Sequence, residues 1–419
     1  MHLSAHLDLD VLAHEADDTL SLLVELTAPP SPRTEQRVPH ALQVVLDRSG
    51  SMRGARLEGA KEALLGIVDR LDPADAFGLV VFDDQAEVGV PAGPLADKQA
   101  VKAAIRGVCA RGRTDLSAGL LRGLQEARRV ATPASTSTLL LVSDGHANDG
   151  VVDPDALGAV AERARQDGIT TSTLGYGLGY DEVLLSAIAR GGRGNEHFAE
   201  NSDDAHAAIA GEVDGLLDQV AQAASLLVRM SPHVRGLQLL NDLPAAQVEG
   251  GVMVELGGLY GEESRKLVLT LDVPGIPALG LAEVATLEVT WVELPALVTH
   301  TATLPVHVNV VPGDAAAGRV PDPVVRSELA YQRTQQAKRR ASRQLTRGDV
   351  PGALSELRVA FGLAEDAWRE APDAARGEWQ EERELLSALE QEATAGLVIR
   401  AAKLSSQDAS RKSRTRGRR

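Results

Sequence analysis

The stretch VVLDRSGSM, residues 44–52, ends an apolar run on an aspartate and then sets two serines one residue apart. Alternate residues of a tight loop can point the same way, so Ser49 and Ser51 can offer two hydroxyl oxygens to one point, with Gly50 between them relaxing the backbone for the turn. ALQVVL, residues 41–46, reads as a fully buried strand, and open α/β sheets bind ligands at the carboxyl ends of their strands, where Asp47 would stand. A second apolar run, STLLLVS, delivers Asp144 at its own carboxyl end, and the loop RGRTDLSAG presents Thr114 just before a helix. Three segments thus place oxygens, and no nitrogen or sulfur, on one sheet edge. Such a set suits a hard cation, and a modest number of ligands with alcohols among them suits Mg²⁺ better than Ca²⁺, which seeks more oxygens.

The rim needs a parallel sheet to carry it. Behind ALQVVL, the residues Leu57, Ala60, Leu64, Ile67 and Leu71 recur at helical spacing. AFGLVVF, STLLLV and ITTSTL read as further strands, alternating with helices over DKQAVKAAIRGV, LSAGLLRGLQEARRV, PDALGAVAERARQD and DEVLLSAIAR. This alternation predicts an α/β domain over residues 41–215, with a doubly wound, mostly parallel sheet covered on both faces.

On either side the pattern changes. HLDLDVLA and TLSLLVEL alternate like half-buried strands, and from 216 to 312 strand-like runs punctuated by Gly, Pro and Asn predict an antiparallel β-sandwich. Two strands alone are marginal. Residues 1–40 are therefore expected to complete the sandwich, which makes the α/β domain an insertion. Residues 323–400 predict a helical appendage: an αα-hairpin around GDV and a third helix over GEWQEERELLSALEQEAT. Its outline resembles a tetratricopeptide-type pair, but no second copy follows near 34 residues. Residues 404–419, Ser, Arg and Lys without apolar periodicity, are expected to form a disordered basic tail.

Composition narrows the function classes. The net charge of −16 repels phosphate backbones over most of the surface, while RKSRTRGRR concentrates six basic residues at the chain end. Aromatics at 3% disfavour recognition by stacking. The single Cys109 cannot form an internal disulfide and excludes any zinc site with two thiolates, so a reducing, cytoplasmic setting is expected. No run of about 18 apolar residues suggests a membrane span.

At this point the chain resembles the von Willebrand factor A family. DRSGSM matches that family's D-x-S-x-S metal motif at Asp47, Ser49 and Ser51, RTDLSAGL its threonine loop at Thr114, and VSDGHAN its second aspartate loop at Asp144. GYGLGYDEVLLSAIARGGRGNEHFAE looks like its closing strand, helix and strand. The resemblance implies a metal-ion-dependent adhesion site in which Ser49, Ser51 and Thr114 bind Mg²⁺, with Asp47 and Asp144 held directly or through water; Mn²⁺ or Ca²⁺ are the substitutes to test. It also implies an open metal position for a Glu or Asp carboxylate of a partner protein, hence binding rather than enzymatic turnover. A second copy of the chain could supply that carboxylate as well as another protein could. Arg48 and His146, beside the ligands, are expected to tune partner choice or to face solvent.

Other motifs fall short. In DGHANDG, Asp149 occupies the place of the turn glycine that an EF-hand needs, and Asp155 that of its bidentate Glu. GYGLG lacks the third glycine of a dinucleotide fingerprint at its proper offset, and there is no P-loop, H-E-x-x-H or G-x-S-x-G. Asp115 and His146 are the few bases near the site that a metal-assisted hydrolysis could use. The alternative to partner binding is association of the basic tail with nucleic acid or an acidic surface, the A-type domain serving as scaffold.

Overall fold

A computed structural model describes residues 1–31, 39–131, 136–144, 147–177, 179–217, 219–371 and 373–414. The chain divides into two units, Pro32–Gln219 and the combination of Met1–Ser31 with Val220–Arg419.

Three strands come first: β1 (His2–Leu7), β2 (Val11–Ala13) and β3 (Asp18–Thr27). The α/β unit follows, as β4 (His40–Asp47), α1 (Ala55–Arg70), β5 (Ala76–Phe82), β6 (Ala86–Pro94), α2 (Lys98–Arg106), α3 (Leu116–Ala127), β7 (Thr136–Ser143), α4 (Pro154–Gln166), β8 (Ile169–Tyr176), α5 (Glu182–Gly192), β9 (Arg193–Ala199) and α6 (Ser202–Leu217). Its sheet has the order β6-β5-β4-β7-β8-β9, parallel except for β6. Every residue of β4 is buried, as an uninterrupted apolar strand between helical layers must be. Leu42, Val44 and Leu46 of β4 share one core with Leu57, Ala60, Leu64 and Ile67 of α1. The antiparallel β6, not anticipated from sequence, carries two prolines and a partly exposed face, which an edge strand tolerates.

From β4 the chain runs outward to β5 and β6, then returns to lay β7 on the other side of β4. The carboxyl ends of β4 and β7 therefore flank the point where the strand order reverses, the place where open α/β sheets bind ligands. Two glycines bring α3 down onto this sheet. A Cβ at Gly119 would stand 2.6 Å from the Phe82 ring, and one at Gly123 2.2 Å from Val45 Cγ2.

The second unit builds two sheets from the N-terminal strands together with β10 (Gln219–Met230), β11 (Gly236–Leu239), β12 (Ala245–Val248), β13 (Gly251–Tyr260), β14 (Ser264–Val273), β15 (Gly280–Glu293) and β16 (Val298–Val311). Their orders are β1-β3-β14-β11 and β12-β13-β10-β15-β16-β2. Leu22 and Val24 of β3, Leu226 and Val228 of β10, Leu287 of β15 and Val308 of β16 lie in one shared core. HLDLDVLA is not a single strand. Asp8 breaks it: its Oδ1 accepts from the Leu9 and Ser21 amides at 2.9 and 2.7 Å, taking the place of a ladder bond, and the chain crosses to the other sheet, where β2 runs parallel to β16.

Helices close the unit: α7 (Gly313–Ala316), α8 (Pro323–Thr346), α9 (Val350–Glu370), α10 (Asp373–Thr394) and α11 (Val398–Arg414). The last corrects the expected disorder of residues 404–419, of which 404–414 are helical and 415–419 lie outside the described residues. Val398, Ala401, Ala402 and Leu404 seat the start of α11 in the bundle core, and charge pairs and small residues hold the rest. Ala401, Ser405 and Ala409 are fully buried, and Asp408 and Lys412 join Lys338 of α8 and Glu382 of α10 in one ion-pair network. Among the described residues no helix is long and apolar enough to cross a membrane.

Candidate metal centre

β4 ends on Asp47, which is fully buried. Its Oδ1 accepts from the Ser49 amide at 2.7 Å, the local bond that turns the chain after the strand, and its Oδ2 accepts from the Ser143 hydroxyl at 2.6 Å. Burial pushes the Asp47 carboxyl up to about 6, against the hydrogen bonds from Ser143 and Ser49, and the neighbouring Asp144 adds to the rise. Among the described residues no cation pairs with Asp47.

Beyond Asp47 the chain forms a short 3₁₀ turn, Gly50–Met52. The two serine hydroxyls meet there at 3.0 Å, and Ser51 Oγ donates to Asp144 Oδ1 at 2.7 Å. A continuous run of oxygens therefore joins the ends of β4 and β7. Arg56, in the first turn of α1, donates from Nη1 to Asp144 Oδ2 at 2.5 Å.

Thr114 reaches the same rim by a different route. It is buried, and main-chain bonds seat its loop: Arg111 N to Arg48 O at 2.7 Å, Gly50 N to Gly112 O at 3.2 Å and Asp115 N to Asp83 O at 2.7 Å. Asn148 clamps the other side, its Oδ1 accepting from Thr114 N and its own N donating to Thr114 O, both at 3.2 Å. Gly112 has φ +70°, and a Cβ there would stand 2.5 Å from Asp84 Oδ1, so this turn needs glycine. The structure thus links Ser49, Ser51 and Asp144 side chain to side chain, holds Asp47 one hydrogen bond away through Ser143 and the Ser49 amide, and brings in Thr114 by backbone alone.

Arg48 corrects the expectation that it tunes partner choice or faces solvent. Its side chain is buried, donates to Asp83 Oδ2 at 2.8 Å and pairs with Glu87 at 3.0 Å. Arg111 uses the same two carboxylates, so two arginines and two acids tie the serine loop to the threonine loop. Burial alone would raise the Asp83 carboxyl, but Arg111, the Gln85 amide and Arg48 hold it below the usual carboxylate range. Asp83 was legible by the logic that found Asp47 and Asp144, since VVFDD is a third strand ending on an aspartate at this edge. Ser143 stands one residue from Asp144, an expected ligand. Nothing in the spacing pointed to Arg56 or Asn148. His146 lies outside the described residues.

Among the described residues there is no group of three or more His, Cys, Asp or Glu that could hold a metal ion. A cation at this rim must draw on hydroxyls, and three hydroxyls with two carboxylates form an all-oxygen set of the kind a hard divalent ion takes. Residues that match the family thereby also fit the group it implies.

Residues 42–211 match the family model described as the von Willebrand factor type A domain. An uncharacterised protein of Synechocystis sp. is 30% identical over 267 residues, which are 60% of this chain and 62% of that protein, so the chain spans less than two thirds of this curated relative. Among solved structures, a von Willebrand factor type A protein from Catenulispora acidiphila superposes with a TM-score of 0.72 at 16% identity, covering 92% of this chain and 88% of that one. The ArnB paralogue VWA2 from Sulfolobus acidocaldarius gives 0.62 at 15% identity and covers 98% of each chain. At these identities the two structures speak for the fold. With the sheet order, the strand-end aspartates and the matched span all in agreement, residues 42–211 are a von Willebrand factor type A domain.

Proposed function

We propose that this domain holds Mg²⁺ at Ser49, Ser51 and Thr114, supported by Asp47 and Asp144, and uses it to grip a carboxylate of a partner protein. The observation that carries the reading is the unbroken run of oxygens from Ser49 through Ser51 to Asp144, at 3.0 and 2.7 Å, across the reversal point of the sheet. A divalent cation bound largely by neutral hydroxyls keeps its affinity for an incoming anion. The chain's own residues do the rest: Asp47 and Ser143 fix the start of the serine loop, Asp83 and its arginines tie it to the threonine loop, and Asn148 holds Thr114. Binding rather than turnover is part of the proposal, as is an intracellular setting, for which the single exposed cysteine is the support.

The test is a calorimetric titration of the full chain with Mg²⁺ and Mn²⁺, followed by capture of partners with Mg²⁺, with chelator, and with Ser49→Ala/Ser51→Ala. Metal binding that the double variant loses, together with a partner retained only with metal, is the expected result. Equal recovery in all three conditions removes the reading. Association through the basic tail has less to work with, because the Lys412 ammonium is engaged by Glu382 and Asp408.

A further inference from the structure

Arg56 stands apart from the other arginines of the rim. Arg48 and Arg111 share Asp83 and Glu87, two cations against two acids, and brace the loops. Arg56 is instead set against Asp144, one of the metal-ligand candidates, whose side chain is fully buried while that of Arg56 is 41% exposed. Its seat is built from three parts: Asp144 Oδ2 at 2.5 Å, the Ser51 carbonyl at 3.4 Å and the bare backbone of Gly177. Gly177 has φ +77°, and a Cβ there would come within 3.2 Å of Nη2 and 3.3 Å of Cζ. The chain leaves room at that point for a guanidinium.

Both oxygens of Asp144 are engaged, Oδ1 by the Ser51 hydroxyl and Oδ2 by Arg56. A cation that draws on this carboxylate therefore competes with the guanidinium for the same charge. Formal charges give the sequence of events a direction. Asp47 and Asp144 with Arg56 leave one negative charge; a divalent cation turns this into one positive charge; a single carboxylate from outside restores neutrality.

We propose that Arg56 is the internal counter-cation of the site and, once the metal has taken Asp144, the second anchor for the incoming carboxylate. This deepens the reading above and rests on it. A guanidinium keeps its charge, is weakly hydrated and offers donors in a planar fork matched to a carboxylate. Released from Asp144 and still next to Ser51, it can take one oxygen of an acid whose other oxygen meets the metal. The chemistry it selects is a Glu or Asp side chain, and it rejects the neutral amides Gln and Asn, which would leave the extra positive charge unanswered.

Mn²⁺ alone and acetate serve as probes. The full chain, Arg56→Ala and Arg56→Gln are titrated with Mn²⁺, and the Mn²⁺-loaded chains are then titrated with acetate by water-proton relaxation; thermal unfolding in chelator checks that each variant folds, with Arg56→Gln keeping the side-chain volume should the alanine variant not fold. The two affinities should move in opposite directions, Mn²⁺ roughly three- to tenfold tighter and acetate roughly three- to tenfold weaker without the guanidinium. A merely structural arginine would weaken both. Mn²⁺ binding that is unchanged or weaker in both variants overturns the counter-cation role while leaving the metal site standing. Unchanged acetate affinity overturns the anchor role. Absence of Mn²⁺ binding in the wild type and in both variants removes this inference together with the proposed function.

Discussion

In the helical bundle Glu382 and Asp408 are buried against Lys338 and Lys412, whereas at the rim of the α/β sheet Asp47 and Asp144 are buried against hydroxyls, amides and one arginine. Both places take two carboxylates out of water. Burial by itself would raise Glu382 and Asp408, but the ammonium groups of Lys338 and Lys412 outweigh it and hold both below the usual range. Asp47 has no such partner among the described residues and rises to about 6. The bundle closes its charge internally, which makes a joint. The rim leaves its charge open, which is what the proposed cation site requires.

Four measurements break or sharpen this contrast. The largest effect belongs to the joint: Lys338→Met leaves two buried acids to share the single ammonium of Lys412 and should cost about 3–5 kcal/mol in denaturant unfolding of the full chain, with Mg²⁺ affinity unchanged. At the rim the sign reverses. The folded value for Asp47, about 6, lies above the ordinary 3.8, so folding takes up a proton between them. In chelator, the Asp47 contribution to stability should therefore grow as pH falls from about 7 through 6 and level off below about 4. Asp47→Asn should flatten that dependence and stabilise the metal-free chain at pH 7 by on the order of 2–3 kcal/mol, read as the difference from wild type along a pH series of unfolding curves. Adding Mg²⁺ at a hundred times its dissociation constant should stabilise wild type by about 2.7 kcal/mol and leave Ser49→Ala/Ser51→Ala unmoved in the same assay. Smallest is Ser143→Ala, which removes one buried hydrogen bond to Asp47 and should weaken Mg²⁺ binding by about 1 kcal/mol in calorimetry.

The same contrast explains what could be read from sequence. Asp47 and Asp144 were visible because central strands of a parallel sheet are unbroken apolar runs, so the first polar residue after each marks the rim. The ligand loops lie close to those strand ends, and their order along the chain survives without any knowledge of packing. α11 was invisible to the same method. Its attachment depends on Lys338, which reaches Asp408 across 70 residues of sequence, and on Ser413, which bonds Gln332 and the Asp242 amide. Periodicity registers apolar faces, not charges that find partners on other helices. The break at Asp8 escaped for a related reason: a side-chain oxygen replaced a ladder bond, and alternation of residue types carries no trace of that. Arg56 was hidden most fully, since a basic residue in the first turn of an amphipathic helix is ordinarily solvent-facing.

Leu26 of β3 pairs with Arg265 of β14, on the far side of the whole inserted domain. The ribosome therefore releases β1 to β3 long before their neighbours exist, while the α/β domain emerges as one continuous stretch with its own core. Domains that emerge whole tend to fold first. Once the insert has collapsed, the connection between β3 and β10 is a compact body and no longer a long open loop, and the entropy cost of loop closure is lower. On this account the folding of the inserted domain also helps the sandwich to form, and lesions in its core should surface as misassembled sheets elsewhere in the chain.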